Sequence, residues 1–437
     1  LSARRTYFDY LLPKILPAET AEKIPPYYFY DLQGHVFSDL NEKDRISVSI
    51  YRGIDDLIFD NLGLTADWGN NTYSLSFRRV FNEKLVGNFL TASSEFFTKF
   101  NLGDPDGLNN PVFTSLNRNK RSFTVDLKSD EGRSIVQRLI DGADVVVNNF
   151  RPGIMERLGF GFEDVLSRNP RIIYAVGTGF GLGGPYAHKG GQDVLAQAVS
   201  GAMHRRADKS IPLNVYPTAL ADYAAGMHLV QGILLALLQR NQTGKGQQVA
   251  VSLFNSMLAM QMQEAAMWMM RGRELNWAAM PLCGVFETND GAITIVGAFK
   301  ENPLRDICEA LEIEDLSTQP KFENLDKQTE NRTELQDIFR KCLQENSTNH
   351  WVSRLEKVDI LCSPVKSLQE ALVDPQTEFN QMIVDLKPTP SGPVRIVASP
   401  IDMSAAPFSV RIPPPRLGEH QTEILSELGS QDERRGG

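Results

Sequence analysis

Cysteine is scarce in this sequence: four residues in 437, at Cys283, Cys308, Cys342 and Cys362, with no C-x-x-C pair. That excludes a disulfide framework and reads as scattered thiols of a reducing compartment, so a cytoplasmic location, or an organelle matrix in a eukaryote, is expected. No uninterrupted apolar run reaches about 18 residues, so no spanning helix is expected. The richest stretch, Leu229 to Leu238, is too short and contains Gln231; it reads as a buried helix. The opening LSARRTYFDY lacks the layout of a secretory signal, and the missing first methionine points to a cut or artificial start. Positive charge is in deficit: 45 Lys and Arg against 54 Asp and Glu leave a formal charge of −9. Such a chain is a poor generic partner for nucleic acid or anionic membranes, and an anionic ligand needs a local basic pocket. His188, His204 and His420 show no ligand spacing among themselves or with the cysteines, so no metal site is expected. There is no internal repeat.

What is present is an ordinary globular composition, 42% apolar and 23% charged, in a length that suits two or three domains or one large one. Residues 1–105 mix aromatics, asparagine and charge and carry no clear period. From Pro111 the pattern becomes regular. SFTVDL (122–127) alternates like a strand, and Ser129 opens an amphipathic helix. ADVVVNNF (143–150) and RIIYAVGTGF (171–180) read as strands, with short helices at 152–159 and 163–170 between them. A long apolar helix runs from Asp222 to about Arg240, followed by strand QQVAVSLF (247–254) and a Met-rich helix at 255–272. GVFETNDGAITIVGAF then reads as a hairpin with an Asn-Asp-Gly turn. Strands alternating with helices predict an α/β fold: a Rossmann-like large domain with a parallel sheet, and a smaller α+β domain. The expected division is 1–105, an unmatched N-terminal region; 106–280, the large domain; 281–385, the small domain; and 386–437, an extended segment and helix returning to the large domain.

Gly179-Phe-Gly-Leu-Gly-Gly184 matches G-x-G-x-x-G after a strand. Pro185 follows directly and no acidic strand end lies about 20 residues on, so a loop over a ligand fits better than a dinucleotide site. The basic run Asn117 to Arg121 is either a solvated turn or a local phosphate site. Asn149, Phe150, Arg151 and Arg157 follow a buried strand, where α/β sheets hold ligands. Asp222 heads the most apolar helix. It is either an N-cap carboxylate, stabilising by about 1 kcal/mol, or a nucleophile kept ionised by the helix N-terminus. His228, inside that helix, reads as a core histidine.

Taken together, LNRNKRSFTVDLKSDEG (116–132), ADVVVNNFRPGIMERLG (143–159), NPRIIYAVGTGFGLGGPY (169–186), GGQDVLAQAVSG (190–201), the stretch 216–258, NDGAITIVG (289–297) and PRLGEHQTEILSELG (415–429) resemble the class III CoA-transferases of the CaiB/BaiF type. Formyl-CoA transferase and carnitine CoA-transferase belong to that family. The resemblance covers about 111–429, with the segments in family order. It implies that Asp222, in LADYAAG, is the catalytic carboxylate. It implies CoA contacts by Val125, Asp126, Leu127 and Lys128, by Asn149, Phe150 and Arg151, by Arg157, and by the loop Lys189, Gly190, Gly191 and Gln192. Coenzyme A is then substrate and product, with no permanently bound cofactor, no metal and no ATP. Acyl-CoA and a carboxylic acid are the expected partners, and an intertwined homodimer the expected assembly.

The implied reaction is CoA transfer through an aspartyl mixed anhydride and an aspartyl thioester, since thiolate is a good leaving group. The alternatives are an acyl-CoA racemase or isomerase of the same family, or a non-catalytic CoA-binding homologue. The racemase branch pairs its aspartate with a histidine at the place Gln192 holds here, and an amide cannot shuttle a proton as imidazole does. The family's opening βαβ unit has no match in residues 1–105, so a replacement of that unit is expected. Its tetraglycine loop has no counterpart near 272–290, so formyl/oxalate specificity is not expected.

Overall fold

A computed structural model of the chain describes residues 2–5, 27–59, 64–82, 85–102, 110–208, 210–389 and 392–435. The chain divides into two compact units, Leu1–Thr124 with Asp374–Gly437, and Val125–Val373.

The first unit opens with an antiparallel sheet in sequence order: β1 (Ser2–Arg5), β2 (Tyr27–Asp39), β3 (Asp44–Phe59), β4 (Leu64–Asn82) and β5 (Leu85–Leu102). Its two faces differ in chemistry because strand side chains alternate. Ile46, Val48 and Ile50 lie opposite Phe77, Leu75 and Tyr73, whereas Ser47 and Ser49 lie opposite Ser76 and Ser74. The hydroxyls of Ser47 and Ser76 are 2.6 Å apart. Among the described residues before Asn110 every element is a strand, and none forms a βαβ unit.

Helix α1 (Pro111–Leu116) follows, capped by Asn110, whose side chain accepts from the N–H groups of Val112 and Phe113. SFTVDL is not a strand. It has no ladder, and the backbone of Ser122 and Thr124 is bonded by His420 and Gln421 instead. The Ser122 N–H donates to His420 Nδ1 at 3.2 Å, the His420 N–H to the Ser122 carbonyl at 3.0 Å, and the Thr124 N–H to Gln421 Oε1 at 3.0 Å. Side chains do here what a neighbouring strand does in a sheet. The basic run is also engaged. Arg118 stacks over Phe408, Lys120 donates to the Leu116 carbonyl, and Arg121 pairs with Glu423 and Glu427, each at 2.7 Å.

The second unit carries the parallel sheet: β6 (Val145–Asn148), β7 (Ile173–Thr178) and β8 (Gln247–Ser252), with β7 in the middle. Ile173, Tyr174, Ala175 and Val176 of β7 are all buried, as a central parallel strand requires. Helices α2 (Asp130–Asp141), α3 (Ile154–Arg157) and α4 (Phe162–Arg168) occupy the first crossover. Ile140, Phe160 and Val165 pack with Ile172, Tyr174 and Val176 in one core cluster. The second crossover holds α5 (Asp193–Val199) and α6 (Leu220–Thr243); α7 (Leu253–Met260) and α8 (Met262–Arg271) follow β8. Ala196, Ala221 and Met257, from α5, α6 and α7, share a second cluster. Arg240 anchors the far end of α6: its guanidinium donates to the Arg171 carbonyl at 3.0 Å and pairs with Asp144 at 2.8 Å. At 24 residues α6 is long and apolar enough to cross a membrane, by length and composition alone. Here it packs against β7 and β8.

The expected hairpin is present as β9 (Cys283–Glu287) and β10 (Ala292–Val296), joined antiparallel by β11 (Leu361–Pro364). Helices α9 (Pro303–Leu311), α10 (Arg332–Leu343) and α11 (Thr348–Lys357) cover this sheet. Phe286, Ile293, Ile295, Leu304, Phe339 and Leu355 form the centre of its core. The chain ends in the first unit with hairpin β12 (Ile383–Thr389) and β13 (Gly392–Val397) and helix α12 (Gln421–Arg435). The architecture is therefore mixed α/β, with one parallel sheet and three antiparallel ones among the described residues.

Phe339 is buried and meets Phe286 edge-on at 6.1 Å between ring centroids. Phe339→Ala should lower the unfolding free energy by about 3–5 kcal/mol. Chemical denaturation checks this; a loss below about 1 kcal/mol would mean that the site collapses freely around the truncation.

Candidate active site

The parallel strands β6 and β7 end at Asn148 and Thr178, and two cavities open around these carboxyl ends. Strand ends of such sheets collect ligands because the loops diverge there. The larger cavity, about 390 Å³, takes Phe150, Arg151, Met155, Tyr174 and Val176 into its wall. The smaller, about 290 Å³, is lined by Asn149, Gly177, Thr178, Asp222, Leu229 and Leu253 among others. The Asn149-Phe150-Arg151 turn serves both: its first residue lines one cavity and the next two line the other.

Tyr174 Oη donates to the Phe160 carbonyl at 2.8 Å. Burial, with the negative Glu156 nearby, pushes the Tyr174 phenol up to about 12. It is therefore a neutral, fixed part of the cavity wall.

Asp222 is not the cap of its helix. Helix α6 begins at Leu220, with Ala219 at the N-cap position making no side-chain bond, so Asp222 sits in the first turn. Reading Asp222 as the cap makes the helix look two residues shorter than it is, whereas Leu220 and Ala221 extend it backwards. The carboxyl of Asp222 is held above the usual aspartate range, first by loss of hydration and then by the negative Asp193. Its cavity offers it no cation: Asn149, Gly177, Thr178, Leu229 and Leu253 are uncharged. Asp222 is itself exposed, so an electrophilic carbonyl can reach it, and a carboxylate held more basic than a free one suits that attack.

The loop Lys189 to Gln192 packs on the sheet end. Gly191 lies so near Gly179 that a Cβ built on either would come within 2.3 Å of the other's Cα. The first glycine of the G-x-G-x-x-G pattern is thus required by backbone packing. Thr178 Oγ1 accepts from the Gly181 N–H at 2.8 Å and sets the start of the same loop. A guanidinium nitrogen of Arg151 lies 2.9 Å from where a Gly190 Cβ would be, which brings the 149–151 turn and the 189–192 loop together. The Lys189 ammonium sits 3.9 Å above the Tyr186 ring. Gln192 is the N-cap of α5, its Oε1 accepting from the Val194 N–H at 3.0 Å.

Other expected contacts lie apart from these cavities. Arg157 lines a different, polar groove of about 400 Å³ with Asp130, Arg133, Ser134 and Gln137. Leu127 packs on the core. Asp126 turns back on the Lys128 N–H at 2.8 Å, and Arg133 binds the Lys128 carbonyl at 2.9 Å. Val125, Asp126, Leu127 and Lys128 line neither sheet-end cavity. Three residues about the site escaped sequence reasoning: Thr178, Asp193 and Gln197. The available signal was two polar residues four apart, Asp193 and Gln197, in a short helix otherwise made of small and apolar residues. Among the described residues no group of three His, Cys, Asp or Glu side chains could hold a metal ion.

The family model described as CoA-transferase family III matches residues 101–421. An acyl-CoA transferase of Fusarium pseudograminearum is 34% identical over 328 residues, covering 74% of this chain and 72% of the relative. Human succinyl-CoA:glutarate CoA-transferase is 30% identical over 333 residues, 75% of this chain and 76% of the relative. Acetyl-CoA:oxalate CoA-transferase of Acetobacter aceti is 31% identical over 328 residues, 73% and 82%. Among solved structures, a CaiB/BaiF family protein from Brucella suis superposes with a TM-score of 0.64 at 29% identity, covering 72% of this chain and 83% of its own.

The raised Asp222 carboxyl has a consequence for stability. A carboxyl whose folded value exceeds its unfolded value binds more protons when folded, so it costs stability once the pH rises past both. Asp222→Asn should therefore be at least as stable as the parent at neutral pH. The difference should close as the pH falls through the ordinary aspartate range. Melting curves across that range check the sign, and a variant destabilised at neutral pH would contradict it.

Proposed function

The chain belongs to CoA-transferase family III and is an enzyme of the CoA-transferase type; on that premise we propose that it moves CoA from an acyl-CoA thioester to a carboxylic acid, with Asp222 as nucleophile. The observation that carries this is the 149–151 turn, which lines both the cavity holding Asp222 and the larger one beside it. A thioester spanning the turn would leave its reacting carbonyl at Asp222 and its CoA portion against Phe150 and Arg151. We read the parallel sheet and its carboxyl-end loops as the Rossmann-like crevice for CoA.

An Asp222 oxygen attacks the thioester carbonyl, the C–S bond breaks, and CoA thiolate leaves a mixed anhydride. The thiolate attacks the aspartyl carbonyl, expels the donor acid as carboxylate, and forms an aspartyl thioester. The acceptor carboxylate attacks that thioester, giving a second anhydride and CoA thiolate again. Attack of the thiolate on the acceptor's carbonyl yields the new acyl-CoA and restores the Asp222 carboxylate. The full cycle consumes one CoA thioester and forms another, so it needs no external energy source. Relatives named for succinyl, glutarate and oxalate substrates support a short carboxylic acid as acceptor, and a cavity of about 290 Å³ has room for one. Racemisation is disfavoured, since Gln192 has no titratable proton to move and its side chain caps α5.

The assembly we propose is a homodimer. Val230, Leu234, Leu235 and Leu238 of α6 and Trp268, Met269 and Met270 of α8 are exposed in the single chain. An apolar surface of that extent is characteristic of an interface. A cytoplasmic or matrix location fits the four free thiols.

Asp222→Asn should fold and lose transfer by roughly a thousandfold or more, because an amide is a poor nucleophile. Retention of near-parental turnover would sink the mechanism. Arg151→Ala should raise the KM for the CoA ester with kcat little changed, a loss of about 1.5–3 kcal/mol in binding. A fall in kcat at constant KM would remove Arg151 from the CoA site. Sedimentation of the parent should give a dimer, and Leu234→Asp with Leu238→Asp a monomer.

A further inference from the structure

Helix α6 enters the site without a cap of its own. Ala219 offers no side-chain acceptor, so the N–H groups of the first turn need partners from elsewhere. They find them on α5. Asp193 Oδ2 accepts from the Ala221 N–H at 2.7 Å and from the Asp222 N–H at 3.1 Å. Its other oxygen accepts from Gln197 Nε2 at 2.6 Å. Asp193 is 5% exposed and Gln197 0%.

Gln197 in turn ties down the chain leading into α6. Its Nε2 reaches the Thr218 carbonyl at 3.2 Å, and its Oε1 accepts from the Tyr216 N–H at 3.1 Å. Four residues apart on α5, the two side chains lie on one face of that helix. Their bonds run to residues 216, 218, 221 and 222. A glutamine matches this set because it donates and accepts at once, whereas the carboxylate beside it meets only donors.

We propose that Asp193 and Gln197 are a positioning pair for the transfer reaction, holding the first turn of α6 so that the Asp222 carboxyl stays aimed into its cavity. This rests on Asp222 being the nucleophile. Neither residue lines the cavity, so both act through Asp222. A buried carboxylate bonded to the nucleophile's own N–H fixes its backbone more tightly than an exposed N-cap would. The same carboxylate places a negative charge near Asp222. Of the other elements around Asp222, the 149–151 turn contributes Asn149, β7 contributes Gly177 and Thr178, and α7 contributes Leu253, none of them ionisable. Asp193 is therefore the charged group that acts on Asp222.

The test compares Asp193→Asn, Gln197→Leu and Asp222→Asn in full-length protein, using thioester exchange with succinyl-CoA and glutarate as the first probe and a panel of acyl-CoA donors as the second. Asp193→Asn should lower kcat roughly 10- to 100-fold while the KM for the CoA ester stays within about twofold. The acid limb of kcat/KM should also move to lower pH, because the charge that raises Asp222 is gone. Gln197→Leu should lower kcat in the same way yet leave that limb in place, since the Asp193 charge remains. Parental kcat and an unmoved limb in Asp193→Asn, with Asp222→Asn inactive, overturn the pair while leaving the nucleophile standing. Full activity in Asp222→Asn overturns the nucleophile itself, and the pair with it. If Asp193→Asn fails to fold, as read by melting curves, Gln197→Leu decides; loss of folding in both makes the pair a plain structural anchor and overturns the proposal.

Discussion

A strand buried on both faces is the constraint that organises the second unit. Residues 173–176 of β7 are all closed to solvent, so each side of the sheet must be covered by something apolar. On one side α2 and α4 supply Ile140 and Val165; elsewhere α5, α6 and α7 gather Ala196, Ala221 and Met257. Small residues dominate the second set, which lets α6 lie close to the strands. The strand has to stop where this cover ends. Both sheet-end cavities and Asp222 are gathered at that end, because the loops leaving β6 and β7 have no sheet left to follow.

The sequence was most legible where burial is densest. RIIYAVGTGF is apolar because β7 is closed on both faces, and its neighbours ADVVVNNF and QQVAVSLF are short apolar runs although Val147 and Ala250 are exposed; a run of that kind has few other readings. The hairpin around Asn289 and Asp290 was legible for a different reason, its turn chemistry. SFTVDL failed because alternation reports a half-buried extended segment and says nothing about what sits beside it. Here the neighbour is the His420 and Gln421 side chains rather than a strand. The start of α6 failed because Ala219 is a silent cap: helix starts are read from capping side chains, and this one comes from Asp193 on another helix.

The candidate site was legible in part. Asn149, Phe150, Arg151 and Asp222 meet at the two cavities, with Gly190 beside Arg151. Arg157 lines a separate groove, since sequence proximity to a strand end does not say which side of a helix faces the crevice, and residues 125–128, expected from the family resemblance, line neither cavity. Asp193 and Gln197 were hidden by their setting. A polar residue in a helix of small side chains reads as solvated unless its partners, 19 to 29 residues away, are already known. Residues 1–105 were opaque because the contrast between faces is clear only over Ile46–Ile50 and Tyr73–Phe77; Gly53, Asp55 and Asp56 interrupt it in β3, and Gly69, Asn70 and Asn71 in β4.

The first unit joins stretches that lie far apart in the chain. Asn119, held at a positive φ of 60°, accepts from the N–H groups of Arg411 and Ile412 through its side chain, donates to the Ser409 carbonyl and donates its own N–H to Ile412. Arg121 is clamped by Glu423 and Glu427 from α12. These partners lie about 300 residues apart along the chain. On a ribosome the segment from 117 to 124 emerges long before its partners at 409–427, while the second unit, whose residues lie between, can close first. Until that later stretch emerges the segment has only local bonds and water, and residues 409–427 then act as the latch that closes it.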